Sequence, residues 1–422
     1  MKLIKTLLLL LISISFSCKG KLSKSDVVTD TKTTKMEIPV METSKASSLV
    51  NVWIDSTTGH KIEKLVTRTG DNRSFYFHNN PFLKSKDGKS DLMIFSGSTE
   101  TGNQFFSINL ETKAIDQITT QKGNKRGEIV GTKTRKVFYM VKDSIFATHV
   151  DTHETEFIYK FNDDIIGSIT SLNANETLLG GALITKEEND IFKKNPKKSD
   201  YFDKIYEAKL ERSLFTIHVN TKEFNNIYSE NAWLNHIQFS PTDPDLLMYC
   251  HEGPWHKVDR IWNINLKTKK TELIHKRTVY REIAGHEFFS PNGKTIWFDL
   301  QIPRGETFYL AGKHLDSGEE TRYALKRDEW SIHFNISPDL KTFAGDGGDE
   351  GQVAHAKDGM WIYHFTPKGD SLVSKKLVNM KNHDYNLEPN VHFSPNGKQI
   401  IFRANFEGTT QIYAVEIEKP TL

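Results

Sequence analysis

Three histidines and one asparagine occur at the same position of a repeated segment. The segments NHIQFSP, GHEFFSP, IHFNISP and PNVHFSP are spaced by about 50 residues, and the residue five positions before each proline is His236, His286, His333 or Asn390. Imidazole exchanges protons near neutral pH and is a common ligand of divalent metals. If the three imidazoles share one cavity, they predict a site for metal binding or proton transfer. The structural alternative is a set of polar side chains that only bind ordered water.

A second group of titratable residues follows an apolar stretch. The segment LLMYCHEGPWHKVDRIW, residues 247–263, starts as a strand-like run and continues into His251, a Gly-Pro pair, His256 and Arg260. Glycine and proline favour a tight turn directly after the strand. We therefore expect His251 at the end of a strand, free to meet a ligand, and His256 beyond the turn as a rim contact.

The last repeat offers further candidate metal ligands. In EPNVH, residues 388–392, the side chains of Glu388, Asn390 and His392 alternate along the chain and would share one face of a strand. With His286 they would present two imidazole nitrogens and two oxygens. That mixture suits manganese or zinc.

The elements that must position these residues are short strands. After about residue 50 the chain consists of short apolar runs separated by turn signals, which is typical of an all-β domain. Each repeated segment is followed by a turn and a second strand, as in NGKTIWFDL and NGKQIIFRA. Seven units of four strands predict a seven-bladed β-propeller over residues 49–422, closed by a strand from Trp53 to Val66. Equivalent inner-strand positions face the central channel of a propeller, so the four repeated residues are expected around its axis.

One segment, about residues 186–210, has a helical pattern instead of a strand pattern. It carries Tyr201, Phe202 and Tyr206. Because long insertions between strands often carry specificity, we expect this insert to overhang the channel as a lid.

Composition excludes some partners. The 422 residues include 56 Lys and Arg against 54 Asp and Glu, which gives a formal charge of +2. No basic block is dense enough for a nucleic-acid footprint, so nucleic acid is not expected as a partner. A chain with 37% hydrophobic residues can bury a large core, and we expect a monomer.

The N-terminus predicts export. MKLIKTLLLLLISISFSCKG has two early lysines, an apolar stretch and a small residue before Cys18. It resembles a bacterial lipoprotein signal, so we expect a signal peptide at residues 1–17, lipidation of Cys18 and a flexible tether over residues 18–48. The expected location is the periplasm or the outer membrane, with the lipid anchor as the sole membrane contact. The second cysteine, Cys250, is then left without a disulfide partner.

Several segments of the chain resemble the oligogalacturonate lyase family. They are CHEGP, GHEFFSPNG, AWLNHIQFSP, NRSFYF and FSGSTETGNQFFSINLET, and the resemblance extends from about Trp53 to Ile417. It implies a seven-bladed propeller that cleaves short pectin fragments by β-elimination and holds manganese through His and Gln side chains. It also implies that His286 is a metal ligand and that His251 is the catalytic base.

The last repeat departs from the family pattern. Where the family has Gln followed by His-Pro-His, this chain has Tyr385 followed by Glu388-Pro389-Asn390. Two imidazole ligands are thus replaced by side chains that carry oxygen, and His392 lies two residues further along. The expected metal ligands are His286, Glu388, Asn390 and His392, and the expected cofactor is a divalent metal, manganese before zinc.

The implied reaction needs three kinds of group. Removal of the C5 proton of a uronate requires a cation that neutralises its carboxylate, and a base that is neutral near pH 7. We assign His251 as the base and expect Arg260 or Arg73 to assist the cation. A donor must protonate O4 of the leaving sugar, and Tyr76 and water are equal candidates. The residues assigned to substrate binding are His236, His256, His333 and Tyr76.

Two other functions fit the same residues. A lyase for another uronate polymer, such as ulvan or rhamnogalacturonan fragments, would use the same chemistry with a different pocket. A non-catalytic carbohydrate-binding propeller would have polar channel residues without a base and a cation arranged about one sugar.

Overall fold

A computed structural model describes residues 38–46, 48–162, 165–348 and 360–420, and Ile38–Leu422 forms one compact unit. The predicted signal peptide, Cys18 and most of the predicted tether lie outside the described residues. Within the described part of the chain, no helix is long and apolar enough to cross a membrane.

Short strands make up most of the fold, and their bounds are given in chain order. The first three are β1 (Val40–Met41), β2 (Val52–Asp55) and β3 (Lys61–Lys64). Blade 1 contains β4 (Asn72–Arg73), β5 (Phe82–Lys84), β6 (Asp91–Thr99), β7 (Gly102–Asn109) and β8 (Ile115–Gln117). Blade 2 contains β9 (Lys125–Gly131), β10 (Lys136–Val141), β11 (Ser144–His149) and β12 (Thr155–Lys160). Blade 3 contains β13 (Ile166–Leu172), β14 (Leu178–Ile184), β15 (Arg212–His218) and β16 (Phe224–Glu230).

The second half of the chain continues the same pattern. Blade 4 contains β17 (Leu234–Phe239), β18 (Leu246–His251), β19 (Ile261–Asn265) and β20 (Thr271–Leu273). Blade 5 contains β21 (Ile283–Phe289), β22 (Thr295–Gln301), β23 (Tyr309–His314) and β24 (Glu320–Ala324). Blade 6 contains β25 (Phe334–Ile336), β26 (Phe343–Gly345), β27 (Trp361–Lys368) and β28 (Ser371–Asn379). Blade 7 contains β29 (His392–Phe393), β30 (Gln399–Ala404) and β31 (Gln411–Glu416).

The ring is closed by a strand from the other end of the chain. Strand β3 pairs antiparallel with β31, with Ile62 opposite Val415, and so becomes the fourth strand of blade 7. Within blades 2 to 6, strands that follow each other in the sequence pair antiparallel, whereas in blade 1 both β4 and β5 pair with β6. Blades 5 and 6 also touch through one parallel pair, Ala324 with Ser371. The predicted seven-bladed β-propeller and its closing strand are confirmed.

The hydrophobic core lies between the blades. At the closure, for example, Ile401 and Ile412 of blade 7 pack in one buried cluster with Met93 and Phe95 of blade 1. Each blade therefore depends on its neighbours for burial of its apolar faces, as expected for a repeat architecture.

A backbone irregularity marks the repeated position on the innermost strands. His236 in β17 and His286 in β21 have φ angles of 48° and 49°, and Asn390, just before β29, has a φ of 50°. The register of β17 and of β21 with the next strand shifts at the histidine. Bulges of this kind re-aim a side chain and interrupt the alternation of faces.

The helical insert lies within blade 3, between β14 and β15. It consists of α1 (Lys186–Lys194) and α2 (Lys198–Ala208), and a 3-10 helix (Trp255–Lys257) follows in blade 4. Arg212 anchors the insert: its Nε lies 2.9 Å from both carboxylate oxygens of Glu188, and its Nη1 donates to the carbonyl of Leu234 at 2.8 Å. The lid therefore has a fixed attachment next to the inner strand of blade 4.

The folded part begins earlier than predicted. Strand β1 pairs parallel with β2, and the Trp53 indole donates a hydrogen bond of 2.9 Å to Thr43 Oγ1. Thr43 is fully buried. Residues from 38 onwards therefore belong to the propeller unit, and the predicted tether, residues 18–48, extends too far at its carboxyl end.

Candidate active site in the central channel

Two histidines at the repeated position each have an aspartate as their partner. The Nδ1 of His286 lies 2.7 Å from Asp299 Oδ1, and the Nδ1 of His333 lies 2.6 Å from Asp346 Oδ2. In both pairs the aspartate comes from the second strand or its end, 13 residues after the histidine. An aspartate that accepts the Nδ1 proton leaves the Nε2 lone pair for a metal or a proton, which is how carboxylates orient metal-binding imidazoles.

The two imidazole rings are neighbours and lie edge to face. The two rings lie 5.1 Å apart between centroids, and the Nε2 of His333 is buried without a hydrogen-bond partner among the described residues. Glu388 Oε2 lies 3.8 Å from that nitrogen. Two oriented nitrogens and a carboxylate form a donor set that fits a divalent cation, and we name His286, His333 and Glu388 the channel triad.

The other predicted ligands are used elsewhere. The amide of Asn390 holds the backbone: its Oδ1 accepts from the Phe77 amide at 2.9 Å and its Nδ2 donates to the Glu388 carbonyl at 3.1 Å. The two ring nitrogens of His392 lie 3.1 Å and 3.2 Å from the carbonyls of Asn390 and Asn79. The polar atoms of Asn390 and His392 are thus engaged with backbone groups, and their role as metal ligands stays a prediction.

The third repeated histidine belongs to an adjoining charged network. The Nε2 of His236 lies 3.3 Å from Glu252 Oε2, and Arg260 binds Glu252 at 3.1 Å and Glu287 at 3.0 Å. Burial alone would raise the pKa of Glu252, but the guanidinium of Arg260 and the nearby His236 lower it far below its usual range. Glu252 and Glu287 stay ionised, and the guanidinium of Arg260 is engaged with both of them.

A possible metal site in the same network fits less well. Within the described residues, His236, Cys250 and Glu252 are the one group of three side chains of ligand type whose donor atoms lie within 4.8 Å of one another. Burial, the largest influence, raises the pKa of the Cys250 thiol well above its usual value, so the thiol stays protonated. The oxygens of Glu252 already lie against Arg260 and His236, at 3.1 Å and 3.3 Å.

A segment of blade 1 enters the channel beside the triad. Tyr76 packs edge-on against His333 with ring centroids 5.2 Å apart, and against His78 at 5.0 Å. Burial and the charge of Glu388 raise the pKa of Tyr76 well above its usual value, so the phenol remains a proton donor. Burial and neighbouring imidazoles, His236 first, lower the pKa of His78 to about 3.

His251 lies outside this cluster. Its ring stacks on Trp262 at 5.2 Å, and its Nε2 lies 3.1 Å from Glu230 Oε2 of blade 3. It lines a small cavity of about 250 Å³ under α2, together with Tyr206 and Glu252. Burial lowers the pKa of His251 in spite of Glu230. Its contacts place it on the face of β18 away from the channel histidines.

The remaining predicted residues lie at the rim. His256 belongs to the 3-10 helix, with Tyr280 6.4 Å away between ring centroids, as expected of a rim contact. Arg73 is exposed on β4, and its charge lowers the pKa of Arg403, after burial and against the opposing effect of Glu388. Arg403 donates to the carbonyls of Glu388 and Ser74, at 2.7 Å and 3.0 Å.

A second cavity lies at the ends of the inner strands. It measures about 700 Å³ and is lined by the four prolines that follow the inner strands, and by Phe77, His78 and His392. Each proline comes five positions after the repeated residue, which is about 16 Å of extended chain. This cavity therefore does not contain the channel triad.

Sequence reasoning missed Asp299, Asp346, Glu287 and His78. The two aspartates had a signal, because the spacing of 13 residues from the repeated histidine is the same in blades 5 and 6. Glu287 and His78 had none, because their positions depend on how the chain crosses the channel.

Comparisons with known proteins agree with this architecture. A family model described as oligogalacturonate lyase matches residues 41–310. The oligogalacturonate lyase of Dickeya dadantii (strain 3937) is 25% identical over 395 residues, which cover 88% of this chain and 97% of that protein. The oligogalacturonide lyase of Pectobacterium atrosepticum is 24% identical over 385 residues, which cover 86% of this chain and 95% of that protein.

Solved structures share the fold. An oligogalacturonate lyase in complex with manganese superposes with a TM-score of 0.74 at 22% identity, over 87% of this chain and 96% of that one. The oligogalacturonate lyase of Vibrio parahaemolyticus gives a TM-score of 0.74 at 23% identity, with the same coverage of both chains.

Proposed function

The chain belongs to the oligogalacturonate lyase family, and on that premise we propose that it cleaves pectin-derived oligogalacturonates by metal-assisted β-elimination at the channel triad. The observation that carries the proposal is the pair of aspartate-bound imidazoles, His286 and His333, whose rings lie 5.1 Å apart, with Glu388 3.8 Å from the Nε2 of His333. A similar lyase covers 88% of this chain, and a solved lyase structure with the same fold is described with manganese.

In this proposal the divalent cation is held by the channel triad. His286 and His333 would supply neutral nitrogens, Glu388 an oxygen, and the unpartnered Nε2 of His333 is a donor that nothing else satisfies. When bound there, manganese would neutralise the substrate carboxylate and favour negative charge at C5.

His236 is the base that the contacts favour. It sits at the repeated position of blade 4, next to blade 5, which carries His286, and its Nε2 lies 3.3 Å from the ionised Glu252. A carboxylate beside an imidazole orients the ring and stabilises the imidazolium that forms when it takes a proton. This revises the assignment of His251, whose contacts are with Glu230 and Trp262.

The reaction then balances, because one proton leaves C5 and one proton is added to O4. His236 removes the C5 proton, the C4–C5 double bond forms as the C4–O4 bond breaks, and O4 of the leaving sugar takes a proton. Tyr76 is our candidate donor because its phenol stays protonated against His333. Arg260 acts by holding Glu252 and Glu287 in place.

The test is ultraviolet absorbance of the unsaturated uronate product. Purified protein is mixed with galacturonate oligomers, ulvan oligomers and rhamnogalacturonan fragments, each with added Mn²⁺ or with EDTA. We expect a rise on galacturonate oligomers that EDTA abolishes. A rise confined to sulfated or rhamnose-containing substrates would contradict the substrate class. No rise on any substrate would favour a binding propeller, and a rise that survives EDTA would remove the metal from the reaction.

A further inference from the structure

The small cavity under the helical insert is built from charged and aromatic side chains. It measures about 250 Å³ and lies between α2 and the turn after β18. Tyr206 of α2 approaches that turn so closely that a Cβ on Gly253 would lie 2.5 Å from its ring. The absence of a side chain at Gly253, where φ is +152°, therefore lets the insert pack over the cavity.

Two lysines in this cavity have no acidic partner. Lys209, which ends α2, and Lys257, in the 3-10 helix, both line it, and neither forms an ion pair among the described residues. The Nζ of Lys209 lies 3.8 Å from the centre of the Tyr206 ring, and that of Lys257 lies 5.9 Å from the same centre. Both ammonium groups thus lie near the Tyr206 ring, which also lines the cavity.

The carboxylates nearby already have partners. Asp259 accepts from the Arg277 backbone at 3.1 Å and from its guanidinium at 3.0 Å. Glu252 is bound by Arg260 at 3.1 Å. Glu230, at the edge, accepts from the Tyr228 hydroxyl at 2.8 Å. None of these carboxylates forms an ion pair with Lys209 or Lys257, so the two ammonium groups are available to an anion from outside the chain.

Aromatic rings supply the rest of a sugar site. Trp233 and Trp262 line the cavity, and His251 stacks on Trp262. The Trp233 indole nitrogen is buried and has no hydrogen-bond partner among the described residues. Only 9% of the residue is exposed. Sugar-sized pockets combine such apolar walls with a few polar groups that fix orientation.

This cavity adjoins the channel through Glu252. One oxygen of that side chain lies against His236, the other binds Arg260, and the residue lines the cavity as well. A ligand in the cavity would therefore lie next to a ligand at His236.

From this geometry we propose that the cavity is a second uronate subsite, in which Lys209 and Lys257 bind the carboxylate of the sugar that neighbours the one being deprotonated, while Trp262 packs against its ring. The inference rests on the proposed function for the order of the two sugars. The carboxylate site itself follows from the cavity alone.

The experiment compares wild-type protein with the double variant Lys209→Met/Lys257→Met. Methionine keeps an unbranched side chain and removes the charge, and Lys194→Met on the exposed face of α1 is the matched control. Each protein is titrated with galacturonic acid, which has no glycosidic bond to cleave, and with galactose, which lacks the carboxylate. Binding is followed by tryptophan fluorescence, since Trp233 and Trp262 line the cavity.

Loss of two charge-assisted contacts should raise the Kd for galacturonic acid about tenfold or more in the double variant. The Kd for galactose, and both values in Lys194→Met, should stay unchanged. On a trigalacturonate substrate the double variant should show a raised KM with kcat within about twofold of wild type, because the lysines do not touch the reacting atoms. An unchanged Kd for galacturonic acid in a folded double variant would overturn the proposal, and so would an equal loss for galactose.

These results separate the inference from the proposed function. Cleavage of oligogalacturonates with unchanged binding in the double variant would leave the lyase in place and remove the subsite. Charge-dependent binding without cleavage of any uronate would keep the carboxylate site and remove the reaction.

Discussion

An imidazole whose Nδ1 is bound to a carboxylate has only its Nε2 left for a ligand. His286 and His333 share this arrangement with Asp299 and Asp346, whereas His236 uses Nε2 against Glu252 and leaves Nδ1. The residue at the place of the aspartate in blade 4 is Cys250, which pairs across from the residue before His236. The same repeated position thus holds two imidazoles with a carboxylate at Nδ1, which we propose as metal ligands, and one with a carboxylate at Nε2, which we propose as the base.

This difference leads to a prediction for His236. Replacement by alanine should lower kcat by on the order of a hundredfold to ten thousandfold, the usual range for a general base, with little change in melting temperature. Steady-state kinetics on the best galacturonate oligomer and a thermal melt measure both. His251→Ala is the matched comparison, and we expect it to act mainly on KM. If instead His251→Ala loses turnover and His236→Ala keeps it, the base is His251, as first assigned.

The repeated position could be predicted from single residues, but the contacts of Asn390 and His392 could not, because the backbone is irregular there. The repeat predicted that His236, His286 and His333 lie around one channel. The expectation for Asn390 and His392 assumed strict alternation of faces, but Asn390 has a left-handed φ of 50°, which breaks it. His392 is also two residues further along the strand, about 7 Å towards the opposite mouth.

At the scale of elements, a buried charge cluster ties blade 4 to blade 5. His275 follows β20, and its two ring nitrogens each lie 2.8 Å from a carboxylate, those of Glu320 and Glu282. Only 4% of His275 is exposed. Burial would lower the pKa of His275, but the two carboxylates outweigh it and raise the pKa above its ordinary value of 6.5.

His275→Gln should therefore destabilise the protein in a pH-dependent way. Removing one member of a buried ionic cluster costs about 3 kcal/mol of unfolding free energy. Because the folded-state pKa is raised, the stabilisation is complete below the ordinary value of 6.5 and is lost as pH rises through the folded-state pKa. Denaturant unfolding of both proteins between pH 5.5 and 8.5 measures this. A difference that grows with rising pH would contradict the assignment of a charged His275.

The order of elements was readable from the sequence, but their extra contacts were not. Strand periods and turn signals predicted the blades, and the helical pattern predicted the insert that now covers His251 through Tyr206. The start of the folded part was missed because the polar run before residue 49 gives no strand signal. Thr43 is nonetheless buried by its hydrogen bond to Trp53, which only the tertiary fold creates.

At the scale of the whole molecule, we propose that the protein is an exported lipoprotein. Cys18 lies outside the described residues, so the proposal rests on the signal-like N-terminus. Cys18→Ser should release the protein from the membrane fraction into the soluble periplasmic fraction and abolish incorporation of labelled palmitate, while the lyase activity of the released protein stays unchanged. Equal membrane association of the variant and the wild type would contradict the anchor.

The central claim is that the channel triad holds the metal, and anomalous diffraction at the manganese edge tests it most directly. Crystals of the wild-type protein grown with Mn²⁺ should show one strong peak at coordination distance from the Nε2 atoms of His286 and His333. The peak should be missing from crystals of His286→Ala. A peak at His236, Cys250 and Glu252 instead, or no peak in the channel, would contradict the account.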